Sequence, residues 1–127
     1  MSNGQLIKEE TDEAKKYAGK SVAEQNSIDL AWEMLMDPSL QELRSCIFTN
    51  ETELLQFRQL VVNCVIATDI FDKDLKELRN RRWHDAFATD DDSTSQNSFH
   101  TQDNFNRRAT IVIEHVIQAA DVAHTMQ

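Results

Sequence analysis

Glycine occurs only twice, proline once and cysteine twice in 127 residues, and each scarcity speaks against something. Few turn formers disfavour a turn-rich sandwich or barrel, so an all-α fold is expected. Cys46 and Cys64 show no CxxC or zinc-finger spacing and are expected as small core residues in a reduced compartment. No stretch approaches about 18 uninterrupted apolar residues, and the first residues, MSNGQLIKEETDEAKK, lack an apolar leader core. Neither a membrane span nor a signal peptide is supported, and a cytoplasmic location is the default expectation. Basic charge is short as well: 13 Lys and Arg against 22 Asp and Glu leave a net charge of -9. That balance repels phosphate backbones and anionic lipid, which disfavours nucleic-acid partners and membrane-surface binding.

What is present is helical periodicity. Residues 1–20 are mostly polar, with Leu6, Ile7, Ala14, Tyr17 and Ala18 forming a weak stripe, so a frayed helix contributing little core is expected there. Ser21 and Glu24 fit a capping box opening a mostly buried helix that carries Ile28, Leu30, Ala31 and Leu35. Asp37 and Pro38 mark a stop and restart, giving a short helix to about Cys46. Thr49 or Asn50 caps the next element, in which Leu54, Phe57, Val61, Val65, Phe71 and Leu78 recur at helical spacing. One long element, kinked or straight, is expected to run to about Trp83 or Phe87. Periodicity then vanishes in a polar loop or insertion at about 88–107. A last helix carries Ile113, Val116, Ile117 and Ala120, with a strand over 110–113 as the competing reading. The sequence ends at Gln127 without a helix-stopping signal, from which a truncated domain is expected.

Three stretches carry more than periodicity: SVAEQNSIDLAWEML at 21–35, LVVNCVIATDIFDKDL at 60–75 and IEHVIQAADVAHTMQ at 113–127. In order, spacing and content they resemble the catalytic domain of class I 3',5'-cyclic nucleotide phosphodiesterases. In that family an apolar helix bearing Ala-Thr-Asp precedes a helix bearing an Ala-Asp metal ligand. The resemblance covers roughly residues 15 to 127. It implies a multi-helical bundle, a partial HD-domain or phosphodiesterase-like catalytic fold over 21–127. It also implies hydrolysis of cyclic AMP or cyclic GMP to the 5'-monophosphate in signalling.

Residue by residue, the resemblance makes Asp121 the direct ligand of the more tightly held metal, normally zinc. Glu24 and Thr68 would hydrogen-bond water on the second metal, with Asp69 in the same network. His124 is a candidate contact to the nucleotide. The complete domain would hold two divalent ions, zinc plus magnesium or manganese, which activate a bridging water for in-line attack on phosphorus. Each residue has a plainer reading beside this one. Asp121 would be a solvated helix-end carboxylate, Glu24 a capping-box partner, Thr68 a hydroxyl bonded back to its own helix, and His124 a solvated ring.

Departures from the family pattern matter equally. Glu24 is followed by Gln25, Asn26 and Ser27 where many members have Glu-x-His-His, and Val122 by Ala123, His124 and Thr125 where many have Ser-Asn-Pro. The upstream His-Asn-x-x-His and His-Asp motifs do not occur, because the four histidines are His84, His100, His115 and His124, and His84-Asp85 follows the Ala-Thr-Asp helix instead of preceding it. The implied partner is therefore a missing N-terminal half of the domain, and the chain alone is expected to be inactive. The alternative is a non-catalytic helical protein-interaction module.

Overall fold

A computed structural model describes residues 2–87 and 98–123, with side chains from 103 onward in the last segment. The chain divides into two compact units, Met1–Asp69 and Ile70–Gln127. The described residues are helical and contain no strand, so the all-α expectation holds and the 110–113 segment lies in a helix.

In the first unit the polar N-terminal stretch folds into two short capped helices, α1 (Asn3–Lys8) and α2 (Asp12–Lys16). Ser2 and Thr11 accept the backbone N–H groups of Gln5 and Ala14, at 3.3 and 3.2 Å. Asp12 and Glu13 open α2 and Lys15 and Lys16 close it, which suits the helix dipole. The apolar stripe alone did not signal these helices, because their side-chain caps and packing against the next helix hold them. Ala14 is buried there. Gly19 follows in the left-handed region at φ +69°, its N–H donating to the Ala14 carbonyl at 2.8 Å.

Helix α3 (Val22–Leu35) buries Val22 and Ile28 and packs against α5 (Glu51–Ala67). Between them a 3-10 turn, Pro38–Leu40, leads into α4 (Gln41–Ile47). Asp37 caps that turn through the Ser39 N–H at 2.8 Å, as Pro at the first position requires. Asn50 caps α5 through the Glu53 N–H at 3.0 Å, and Glu53 returns the bond to the Thr49 N–H at 2.7 Å. The Phe57 ring joins the helices, its centroid 6.3 Å from that of Trp32 and 6.0 Å from that of Phe48. Of the two cysteines, Cys64 is half-buried but Cys46 is exposed, its thiol donating to the Glu42 carbonyl at 3.4 Å.

Lys16 and Tyr17 both donate to Asp29 Oδ2 at 2.7 Å and hold its carboxyl below the ordinary value of 3.8, Lys16 most strongly. With the folded pKa lowered, this interaction contributes above pH 3.8 and is lost as pH falls through the lower folded value. An NMR titration should find Asp29 ionising below the ordinary value of 3.8, and Lys16→Ala should bring it back up. A midpoint for Asp29 at or above 3.8 in the unmodified chain would show the pairing to be absent in solution.

The single long element expected from residue 51 onward is two helices. α5 stops at Ala67, and α6 (Lys73–Phe87) starts afresh. Asp72 supplies the new start by accepting the Leu75 N–H at 3.1 Å through its side chain. Periodicity continues across the break because both helices bury a face, so hydrophobic spacing alone does not register it. In the second unit α6 packs against α7 (Ser98–Ala123). That helix begins inside the stretch expected as a loop at about 88–107. Its early turns, exposed over 103–108, extend from the buried positions Ile111 and Glu114, since lengthening a formed helix adds one bond per residue. Residues 88–97 lie outside the described residues.

Candidate functional site

The first unit gathers four polar side chains from segments far apart in sequence. Asn3, at the first position of α1, donates its amide Nδ2 to Glu24 Oε2 at 2.8 Å and to Asp69 Oδ2 at 3.3 Å. Its own oxygen accepts the Ala23 N–H at 2.8 Å, so Asn3 caps α3 from outside that helix. Ser21 donates its hydroxyl to Asp69 Oδ2 at 2.8 Å. Ser21 and Asp69 are each only 5% exposed.

This arrangement replaces the expected capping box. Ser21 makes no side-chain cap and sits in the left-handed region at φ 39°, ψ 49°. A non-glycine residue there carries strain of about 1–3 kcal/mol, held in place by the surroundings. Here the hold is the buried hydroxyl–carboxylate bond to Asp69. Glu24 is thereby released from its own helix start and is fixed by Asn3 instead.

Asp69 lies just past the end of α5, beside Thr68, the last residue of that helix's cap. The Thr68 hydroxyl donates to the Val65 carbonyl at 2.7 Å, the local back-bond that was its plainer reading. Its two lone pairs can still accept from water or another donor. Glu24, Thr68 and Asp69 therefore belong to one unit, with Glu24 and Asp69 joined through a shared donor.

Asp121 belongs to the second unit, exposed near the end of α7. His124 lies outside the described residues. A buried polar contact that sequence reasoning did not single out stands in this unit: Glu114, 3% exposed, accepts from Arg82 Nη1 at 3.1 and 3.0 Å. Asn3 and Ser21 were likewise missed as site residues. Their partners lie 20 to 66 positions away, and no local pattern signals that.

The family model described as 3'5'-cyclic nucleotide phosphodiesterase matches residues 1–127. The chain belongs to that family. No curated protein matches it. Membership in the phosphodiesterase family carries an activity class, phosphoric diester hydrolysis, and an all-α catalytic fold. It also brings in the first 20 residues, which the three motif stretches did not cover. The family is in general metal-dependent. Among the described residues of this phosphodiesterase chain, no three His, Cys, Asp or Glu side chains gather as a ligand set. A zinc centre takes three or four protein ligands, so the described residues do not by themselves fit a complete metal site. Asp121, as an exposed carboxylate, fits the part of a single oxygen donor. Glu24 and Asp69 are already engaged with Asn3 and Ser21 and fit orienting work.

Proposed function

We propose that this chain forms part of the catalytic domain of a metal-dependent phosphodiesterase that hydrolyses cyclic AMP, cyclic GMP or both to the 5'-monophosphate in cytoplasmic signal transduction. The observation that carries the reading is the family match along residues 1–127. In it Asp121 would give one oxygen to the more tightly held divalent metal, normally zinc, while Glu24 and Thr68 would hydrogen-bond water on the second metal, with Asp69 in the same network. His124 contacts the nucleotide. The metals supply Lewis acidity and an activated water; the chain's own residues bind, orient and hold protons in place.

Two features support a division of labour with further helices. The sequence has no paired-histidine motif upstream of its Ala-Thr-Asp helix, so the remaining ligands come from elsewhere and the chain alone is inactive. Apolar side chains also stand exposed in both units, including Leu30, Met34 and Leu55 in the first and Phe105, Val112 and Val116 in the second. Such positions suit burial by the rest of a helical domain. No helix among the described residues is long and apolar enough to cross a membrane.

The test is hydrolysis of both cyclic nucleotides, with zinc and magnesium, by this chain and by a protein extended upstream through histidine-bearing helices. Turnover is expected in the extended protein only. Glu24→Gln and Asp121→Ala should each reduce turnover or metal affinity there by about 10- to 100-fold, the usual effect of disturbing a metal's surroundings. Silence in both proteins, with metal binding unaltered by Asp121→Ala, would favour a non-catalytic helical interaction module.

A further inference from the structure

Glutamate is among the side chains with most rotamer freedom, and its torsions must be fixed before its carboxylate can orient anything. Glu24 stands half-buried in the first turn of α3 and is fixed from outside that helix. Asn3 Nδ2 donates to Glu24 Oε2 at 2.8 Å, across 21 residues. A bond from an amide N–H to a carboxylate belongs to the strong class. A carboxylate accepts through both oxygens, so with Oε2 taken by Asn3 it is Oε1 that can turn to water.

Asn3 is itself held at both ends of its amide. Its Oδ1 accepts the Ala23 N–H at 2.8 Å, and Nδ2 also reaches Asp69 Oδ2 at 3.3 Å. A backbone N–H only donates and carboxylate oxygens accept, so one orientation of the amide serves all its partners. Turned over, it would set its oxygen against two carboxylates. Asp69 gives the arrangement a fixed reference, since it is 5% exposed and accepts the Ser21 hydroxyl at 2.8 Å. Capping α3 does not by itself call for this residue type. An oxygen from Ser or Asp caps a helix start as well as one from Asn. Among these only Asn adds an NH2 group whose protons can go to two acceptors, and here it meets Glu24 and Asp69.

We propose that Asn3 is a positioning residue for phosphodiester hydrolysis, its amide holding Glu24 in the one rotamer from which Oε1 meets water. The proposal rests on the water-orienting part given to Glu24 above and adds to it the group that sets its direction. Asn3 touches neither substrate nor water in this role and acts through Glu24 alone. Its oxygen serves the fold, by capping α3, and its nitrogen serves the reaction.

The test separates the two ends of the amide. Asn3→Asp keeps an oxygen for the Ala23 N–H and removes the donor. In this chain the Ala23 amide should then exchange nearly as slowly as in the parent, while the NMR signal of the Glu24 carboxyl carbon moves toward that of a free side chain. In the protein extended upstream, Asn3→Asp should lower kcat for cyclic nucleotide hydrolysis about 10-fold, the lower end of what disturbing an outer hydrogen-bond partner costs. KM should stay within about twofold, since the lost interaction acts in the reaction and not in binding. Added to Glu24→Ala, Asn3→Asp should cost nothing more, because its effect passes through Glu24. An unmoved Glu24 carboxyl signal, parental kcat in Asn3→Asp beside a loss in Glu24→Ala, or losses that multiply in the pair would overturn the role of Asn3 and leave that of Glu24 standing. Parental turnover in Glu24→Ala, or none in the extended parent, would overturn the reading of Glu24 and the proposal with it. Should Asn3→Asp unfold the first unit, the Asn3 side-chain NH2 signals decide: Glu24→Ala should shift them, and unmoved signals would overturn the proposal.

Discussion

Arg82→Ala is expected to destabilise the packing of α6 on α7 by about 3 kcal/mol, roughly a 150-fold shift in the local opening equilibrium. Glu114 is almost wholly buried and its two oxygens both accept from one nitrogen of Arg82. Removing the guanidinium strands a carboxylate in a low-dielectric interior, which costs far more than the net worth of an intact pair. Arg82 is itself about a third exposed, with 32% of its side chain accessible, and this places the effect at the lower end of the buried-pair range. Because a single nitrogen serves both oxygens, Arg82→Lys should retain much of the stability, losing about 1 kcal/mol. Glu114→Gln removes the stranded charge and should be milder than Arg82→Ala. Hydrogen exchange of α6 and α7 amides reads all three. Exchange in Arg82→Ala that matches the parent within a factor of two or three would mean that Glu114 finds water or another donor at little cost.

The second large effect is expected at Asp69. Asp69→Ala removes the acceptor for the buried Ser21 hydroxyl and for one bond from the Asn3 amide. A buried donor left unmade costs about 1–3 kcal/mol, and bonds to a charged group stand at the upper end, so a loss of about 3 kcal/mol is expected in the first unit. It should appear first as faster exchange at the start of α3. Ser21 there loses the bond that holds its left-handed backbone, and Ala23 depends on Asn3 for its cap. Asp69→Asn keeps an oxygen for Ser21 and should lose less. Asn3→Ala combined with Asp69→Ala should cost less than the sum of the two, because both act through one node. Strict additivity would show that Asn3 and Asp69 act independently.

The fold class was legible because helix periodicity is a local property. Ile28 and Trp32, or Phe57 and Val61, stand one turn apart whatever the rest of the chain does. Asn50 and Asp37 also signalled their caps, which need only the next two or three residues. The break at Thr68–Asp72 was not legible from spacing, since the apolar positions on either side share one period. The helical turns from Ser98 were not legible either, because a mostly polar stretch carries no periodic signal of its own.

Of the candidate site, the motif residues could be picked out by resemblance, but their partners could not. Glu24 and Ser21 fit a capping box on spacing, three residues apart, and a local rule joins them. In the folded chain Asn3 takes Glu24 and Asp69 takes Ser21, across 21 and 48 residues. The sequence by itself determined the helical class, the acidic surface, most helix starts and the motif residues that mark the phosphodiesterase family. Only the tertiary structure decided which carboxylates are buried and which donors satisfy them. The physical reason is that propensity, capping and periodicity act within a few residues. Desolvation and hydrogen bonding of buried polar groups are settled instead by neighbours that chain folding brings together from any distance.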